Sequence, residues 1–292
     1  MIGDRTPLDT TRLRVGAVGY LNARPHVYGL ESSPRFDVRF DVPSKCADLL
    51  HEDAIDLGLI PSIEYLRGPA EAPHTYRIVP DIAIASRGPV ESVALYSRKE
   101  LRDVRSIALD TSSRTSVALA RVLCAREFRI RPLLYSSGPD LEAMLTRADA
   151  ALLIGDAALF LDPQKVGANS GMDRVDKIDL GAVWTRMTGL PFVYAFWAGR
   201  PGPLTADDVV RLLRARDEGV DHVAEVVAAY SDDPRQQAIG ARYLRDNIKY
   251  DLGPDERAGL ELFYQYAAEA GVVPGTQPLR FYETSPKNAR ER

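Results

Sequence analysis

Short apolar runs alternate with amphipathic stretches along most of the chain, and each change of period marks an element. Leu13 to Val18 is apolar and stops at Gly19, which predicts a strand. Pro25 follows and suits the first turn of a helix. Phe36 to Val42 alternates apolar and polar positions, the pattern of a half-buried strand. Pro43 and Ser44 end it, and Ser44 is placed to cap a helix over Lys45 to His51. Leu57 to Ile60 predicts a buried strand, broken by Pro61 and Ser62, and Ile63 to Leu66 starts another turn. Strand and helix in alternation predict a parallel sheet with right-handed crossovers.

The pattern then repeats. Ser106 to Leu109 reads as a strand ended by Asp110, and Thr111 to Ser113 as a loop of hydroxyl residues. Arg114 to Phe128 is strongly periodic, with Val117, Leu119, Ala120, Val122 and Leu123 on its apolar face. Arg131 to Tyr135 predicts a strand, Asp140 to Arg147 a helix, and Ala150 to Ile154 a strand ended by Gly155 and Asp156. Arg14 to Asp56 spans 42 positions and Ser106 to Asp149 spans 43, so the two halves share one spacing. Beyond Asp179 come a helix from Gly181 to Thr188 and an apolar strand from Pro191 to Trp197. Residues 205–270 then carry three helical stretches: Ala206 to Tyr230, Pro234 to Asn247 and Asp255 to Ala270. Thr205 and Gly271 are placed as caps, and Leu279 to Tyr282 as a final short strand.

Two extended stretches, near 90–97 and 190–197, read as crossovers between the halves. If the helical tail packs on the first half, one lobe is residues 1–92 plus 196–292 and the other 93–195. The strand ends of both lobes then face one cleft, and the crossovers form a hinge that permits closure on a small ligand. This plan, an α/β chain with mostly parallel sheets, resembles the class II periplasmic binding proteins.

Composition narrows the chemistry. A 292-residue chain with 45% hydrophobic and 27% charged residues is neither disordered nor fibrous. Its net charge of −4 argues against a nucleic-acid partner held by bulk positive charge. The two cysteines and four histidines show no metal-ligand spacing, so no metal is expected. No apolar run is long enough to cross a membrane, and the polar start from Met1 to Arg12 has no signal-peptide core. The expectation is a cytoplasmic protein without a membrane partner. Walker and dinucleotide glycine loops and the Gly-x-Ser-x-Gly elbow are all missing.

In an open sheet, ligands bind beyond the carboxyl ends of the strands. The residues there are Gly19, Tyr20 and Asn22 after the first strand, Ser44 after the second, and Pro61 and Ser62 after the third. In the second half they are Ser113, Arg114, Thr115 and Ser116, then Gly155 and Asp156. Ser86 and Ser92 flank the first crossover. Helix starts hold anions through free N–H groups, and Arg114 adds a guanidinium able to grip a carboxylate with two bonds. Asn22 and Asp156 each also suit a helix N-cap, and Tyr243, Tyr250, Tyr264 and Tyr266 read as packing residues of the tail. His26, alone beside a proline, reads as structural.

The runs Gly19 to Pro25, Ile60 to Ser62 with Glu64 and Tyr65, Ile84 to Val93, Ser112 to Leu119, Gly155 to Leu159 and Thr188 to Val193 together resemble one family. It is the chorismate dehydratases of the futalosine route to menaquinone. The resemblance runs from about Leu13 to Ala198 and extends to the helical tail in type rather than in residues. It implies a hydro-lyase that needs no cofactor and takes water from chorismate to give 3-[(1-carboxyvinyl)oxy]benzoate. It also points to Asn22 as the residue that hydrogen-bonds the leaving hydroxyl or an adjacent oxygen. The proton acceptor stays open between a substrate carboxylate and Asp156. The alternatives are the dihydroxynaphthoate-forming sister enzyme, whose first loop opens on a Cys-Pro-Asn-Asp type turn, and a noncatalytic carboxylate-binding protein. The oligomeric state is left open.

Overall fold

The computed structural model describes residues 12–68, 76–162 and 175–284. The chain first lays down β1 (Leu13–Val18), β2 (Phe36–Asp41), β3 (Leu57–Pro61), β4 (Arg77–Ile78) and β5 (Ile84–Ser86). Helices α1 (Pro43–His51) and α2 (Glu64–Arg67) lie between them. It crosses to a second sheet made of β6 (Val93–Ser97), β7 (Ser106–Asp110), β8 (Leu133–Ser137), β9 (Ala150–Ile154) and β10 (Asp176–Asp179). Helices α3 (Arg114–Leu123), α4 (Leu141–Arg147) and α5 (Asp156–Leu159) belong to this half. After α6 (Leu180–Thr188) the chain returns as β11 (Phe192–Gly199). The tail is helical: α7 (Ala206–Asp221), α8 (Val223–Tyr230), α9 (Pro234–Arg242) and α10 (Pro254–Glu269).

The two sheets follow one plan. The first runs β2-β1-β3-β11-β4, with β5 also on β11, and the second runs β8-β7-β9-β6-β10. Each has a parallel trio, then an antiparallel strand that arrived from the other half: β11 on β3, and β6 on β9. Each sheet thus joins a parallel core to antiparallel strands at one side. The repeated spacing has a physical counterpart. Arg14 N–H donates to the Asp56 carboxylate at 2.9 Å, and Asp149 N–H donates to Ser106 Oγ at 3.0 Å.

Several local expectations are corrected. Ser44 does not cap α1; the helix starts two residues earlier than expected, at Pro43 with Val42 as its N-cap, and Ser44 N–H donates to Ser112 O at 2.9 Å. The stretch from Ala206 to Tyr230 breaks at His222, whose backbone leaves the helical region. Leu279 to Tyr282 forms only a single bridge, Phe281 to Ile78. Phe192 and Val193 pair with Ser86 and Ala85, so the chain rejoins the first sheet before residue 196.

Burial of aromatic rings welds the tail to the first sheet. Phe192 lies 5.3 Å from Trp184 and 4.8 Å from Phe263 of α10, ring centre to ring centre, and all three are fully buried. Gly259 permits this, because a Cβ there would sit 2.2 Å from Pro191 O. Among the described residues no helix is long and apolar enough to cross a membrane.

Candidate functional site

The carboxyl ends of β1, β3 and β9 and the start of α3 converge on a partly open cavity between the sheets. Val18, Pro43, Pro61, Ile84, Val90, Val93 and Ile154 give it an apolar lining. Its polar surface comes from Tyr20, Asn22, Ser92, Ser113, Ser116 and Tyr194. Of the residues singled out in the sequence, it gathers Tyr20, Asn22, Pro61, Ser92, Ser113, Ser116 and Gly155.

Asn22 sits inside a short 3-10 helix, Leu21–Val27, whose N-cap position belongs to Tyr20, so capping does not explain it. Its backbone carbonyl accepts the Tyr250 hydroxyl at 3.1 Å. Its side chain lies beside the Tyr243 hydroxyl, which is 2.7 Å from Ser92 Oγ. Asn22 Oδ1 is buried and has no partner among the described residues. An unmet buried acceptor costs about 1–3 kcal/mol, so a ligand hydroxyl brought to it recovers that energy. Burial raises the Tyr243 phenol far above its ordinary range, so it stays protonated and able to donate.

The start of α3 supplies the second polar wall. Ser113 is its N-cap; Ser113 Oγ accepts Ser116 N–H at 3.4 Å and lies 3.0 Å from Ser116 Oγ. The positive end of a ten-residue helix, with two hydroxyls at it, suits a carboxylate.

Other expected residues stand elsewhere. Arg114 turns away from the cavity: its guanidinium is bound by Asp48 at 2.7 Å and Glu64 at 3.0 Å. The expectation that it grips a ligand carboxylate is thereby corrected. Glu64 is buried, and His51, Arg67 and Arg114 hold its carboxyl below the usual range despite that burial. Thr115 Oγ1 accepts Ile63 N–H at 3.1 Å, and Ser62 Oγ donates to Val193 O at 2.8 Å. Ser86 Oγ lies 3.1 Å from the Tyr194 hydroxyl, so it meets the cavity through that tyrosine. Gly19 O accepts the Tyr230 hydroxyl and Arg24 Nη2, each at 3.3 Å.

Asp156 neither lines the cavity nor caps its own helix. Its carboxylate accepts Leu21 N–H from the opposite half at 3.2 Å and the Tyr230 hydroxyl. Burial raises its pKa, and the bonds from Tyr230 and Leu21 oppose the rise. It joins the two halves, which corrects its reading as the base. Tyr20 Oη donates to Ser112 Oγ at 3.1 Å and adds another link. Gly155 has φ +62, and a Cβ there would sit 2.9 Å from the Tyr20 ring.

Sequence reasoning missed Tyr194 and passed over Tyr243 and Tyr250 as packing residues. Tyr243 and Tyr250 are buried, yet the Tyr250 hydroxyl holds the Asn22 carbonyl and the Tyr243 hydroxyl holds Ser92 Oγ beside it. A tyrosine's sequence neighbours give no local signal of where its hydroxyl ends. His26 is structural, packed edge-on at 5.4 Å from Tyr250 and 6.2 Å from Trp197.

Comparison with known proteins adds an independent line. A family described as "Menaquinone biosynthesis" matches residues 13–269. A Thermus thermophilus protein named chorismate dehydratase is 32% identical over 262 residues, covering 85% of this chain and 93% of that one. A crystal structure of an Archaeoglobus fulgidus protein superposes with a TM-score of 0.68 at 18% identity, covering 90% and 98% of the two chains. The periplasmic aliphatic sulphonate binding protein of Escherichia coli gives 0.56 at 15% identity over 96% and 98%. The class II periplasmic-binding-protein fold is therefore present. The expectation of a cytoplasmic protein is corrected by these likenesses, since the architecture is shared with periplasmic proteins.

Proposed function

The chain belongs to the menaquinone biosynthesis family, and we propose that its reaction is the dehydration of chorismate to 3-[(1-carboxyvinyl)oxy]benzoate. The observation that carries the reading is the unmet Asn22 Oδ1 on the wall of a largely apolar cavity. Chorismate brings a cyclohexadiene ring, two carboxylates and one ring hydroxyl. The proline and aliphatic lining suits the ring, and the α3 start with Ser113 and Ser116 suits one carboxylate.

The step removes the ring hydroxyl as water together with the hydrogen on the neighbouring ether carbon. The two electrons of that C–H bond become part of the aromatic ring, so the substrate supplies the driving force. Asn22 Oδ1 accepts the ring hydroxyl's hydrogen bond and fixes its direction. With Tyr243 donating to Ser92, the Ser92 O–H is left to donate to the departing oxygen. The C–H proton passes to the substrate's own enolpyruvyl carboxylate and from it to the departing hydroxide, which leaves as water; among the described residues no carboxylate lines the cavity to take that role.

Chorismate turnover and binding are measured for the native chain and for Asn22→Ala. The reading expects turnover to be lost while binding of the product stays measurable. Turnover undiminished in Asn22→Ala contradicts it. Saturable binding of a carboxylate without turnover by the native chain favours a binding protein instead.

A further inference from the structure

The second sheet ends in a strand that is unlike the rest of the surface. In β8, Leu133, Leu134 and Tyr135 follow one another with 65%, 40% and 48% exposure. We infer that β8 is the pairing edge of a symmetric dimer, in which two copies of this chain join their second sheets through it.

The backbone offers the bonds. Leu133 N–H donates inward to Arg105 O at 2.8 Å. Alternation along the strand then turns the N–H and C=O of Leu134 and Ser136 outward. Edge strands are ordinarily blunted by charges or bulges, and β8 contains neither a charged residue nor a register shift against β7. Pro132 has no N–H, so a ladder along this edge stops there.

The flanking charges select the occupant. Arg129 and Arg131 are exposed before β8, and Asp140 and Glu142 are exposed after it. Antiparallel pairing of two copies brings the basic end of one strand against the acidic end of the other. A parallel arrangement would set like charges together. A two-fold axis through Tyr135 satisfies the outward groups: Leu134 stands opposite Ser136, Tyr135 opposite Tyr135, and Arg131 opposite Pro139 beside Asp140. Two five-stranded sheets become one of ten strands.

The full chain is examined by light scattering after gel filtration across a concentration series, as the native protein and as Tyr135→Asp. The native chain should reach twice its 32.2 kDa mass as concentration rises. Tyr135→Asp, which sets two like charges face to face, should weaken association tenfold or more and keep the unfolding temperature that the native chain shows when diluted to monomer. A second variant, Tyr135→Cys, should form a disulfide dimer under mild oxidation, because the native Cys46 and Cys124 are buried. A native chain that stays monomeric throughout overturns the inference. So does a dimer that persists in Tyr135→Asp, or one that Tyr135→Cys fails to cross-link.

Discussion

The Tyr243 hydroxyl lies 2.7 Å from Ser92 Oγ, although 151 residues separate them in sequence. The same hydroxyl lies beside the Asn22 side chain, so one phenol stands next to two polar groups of the cavity wall. Tyr243→Phe keeps the buried ring and removes only this link. Because small displacements of reacting groups cost up to about a hundredfold in rate, kcat should fall by roughly ten- to a hundredfold. KM should move little, and steady-state kinetics with chorismate separate the two.

Gly155→Ala meets two obstacles at once, a left-handed backbone and the Tyr20 ring 2.9 Å from the new methyl. The expected cost is about 1–3 kcal/mol of stability in urea unfolding. Turnover should also drop, since Tyr20 lines the cavity.

Arg114→Ala separates the two roles a guanidinium at this place can have. In the structure it serves Asp48 and Glu64, and Glu64 keeps His51 and Arg67 when it is lost. A stability loss of about 1–2 kcal/mol is expected in urea unfolding, with KM for chorismate changed only modestly. A rise in KM of several hundredfold would instead indicate direct contact with a substrate carboxylate.

His26 governs an acid limit of stability. Burial first, and Arg216 second, lower its pKa from 6.5 to about 3. Between those values the unfolded chain binds a proton that the folded chain refuses. Its contribution is therefore complete above pH 6.5 and is lost as pH falls toward 3, by an amount of order a few kcal/mol. Urea midpoints measured across this window should fall with acidity, and the slope should flatten in His26→Phe.

The architecture was legible because strands and helices carry their periods locally. The spacing from Arg14 to Asp56 and from Ser106 to Asp149 even marked residues that bond across neighbouring strands. The cavity was legible at Asn22, Ser113 and Gly155, which stand where strands end. What the sequence hid depends on distant partners. Arg114 is drawn off by Glu64, 50 residues away, and Asp156 by Leu21 and Tyr230, 135 and 74 residues away. The antiparallel strands were equally hidden, since burial on both faces leaves β6 and β11 apolar whatever their direction.

The central claim is tested most directly by incubating the native chain with chorismate and following ultraviolet absorbance and product mass. The expected result is an aromatic product lighter than chorismate by one water, formed without any added cofactor. Recovery of unchanged chorismate, or a product that retains the ring hydroxyl, would contradict it.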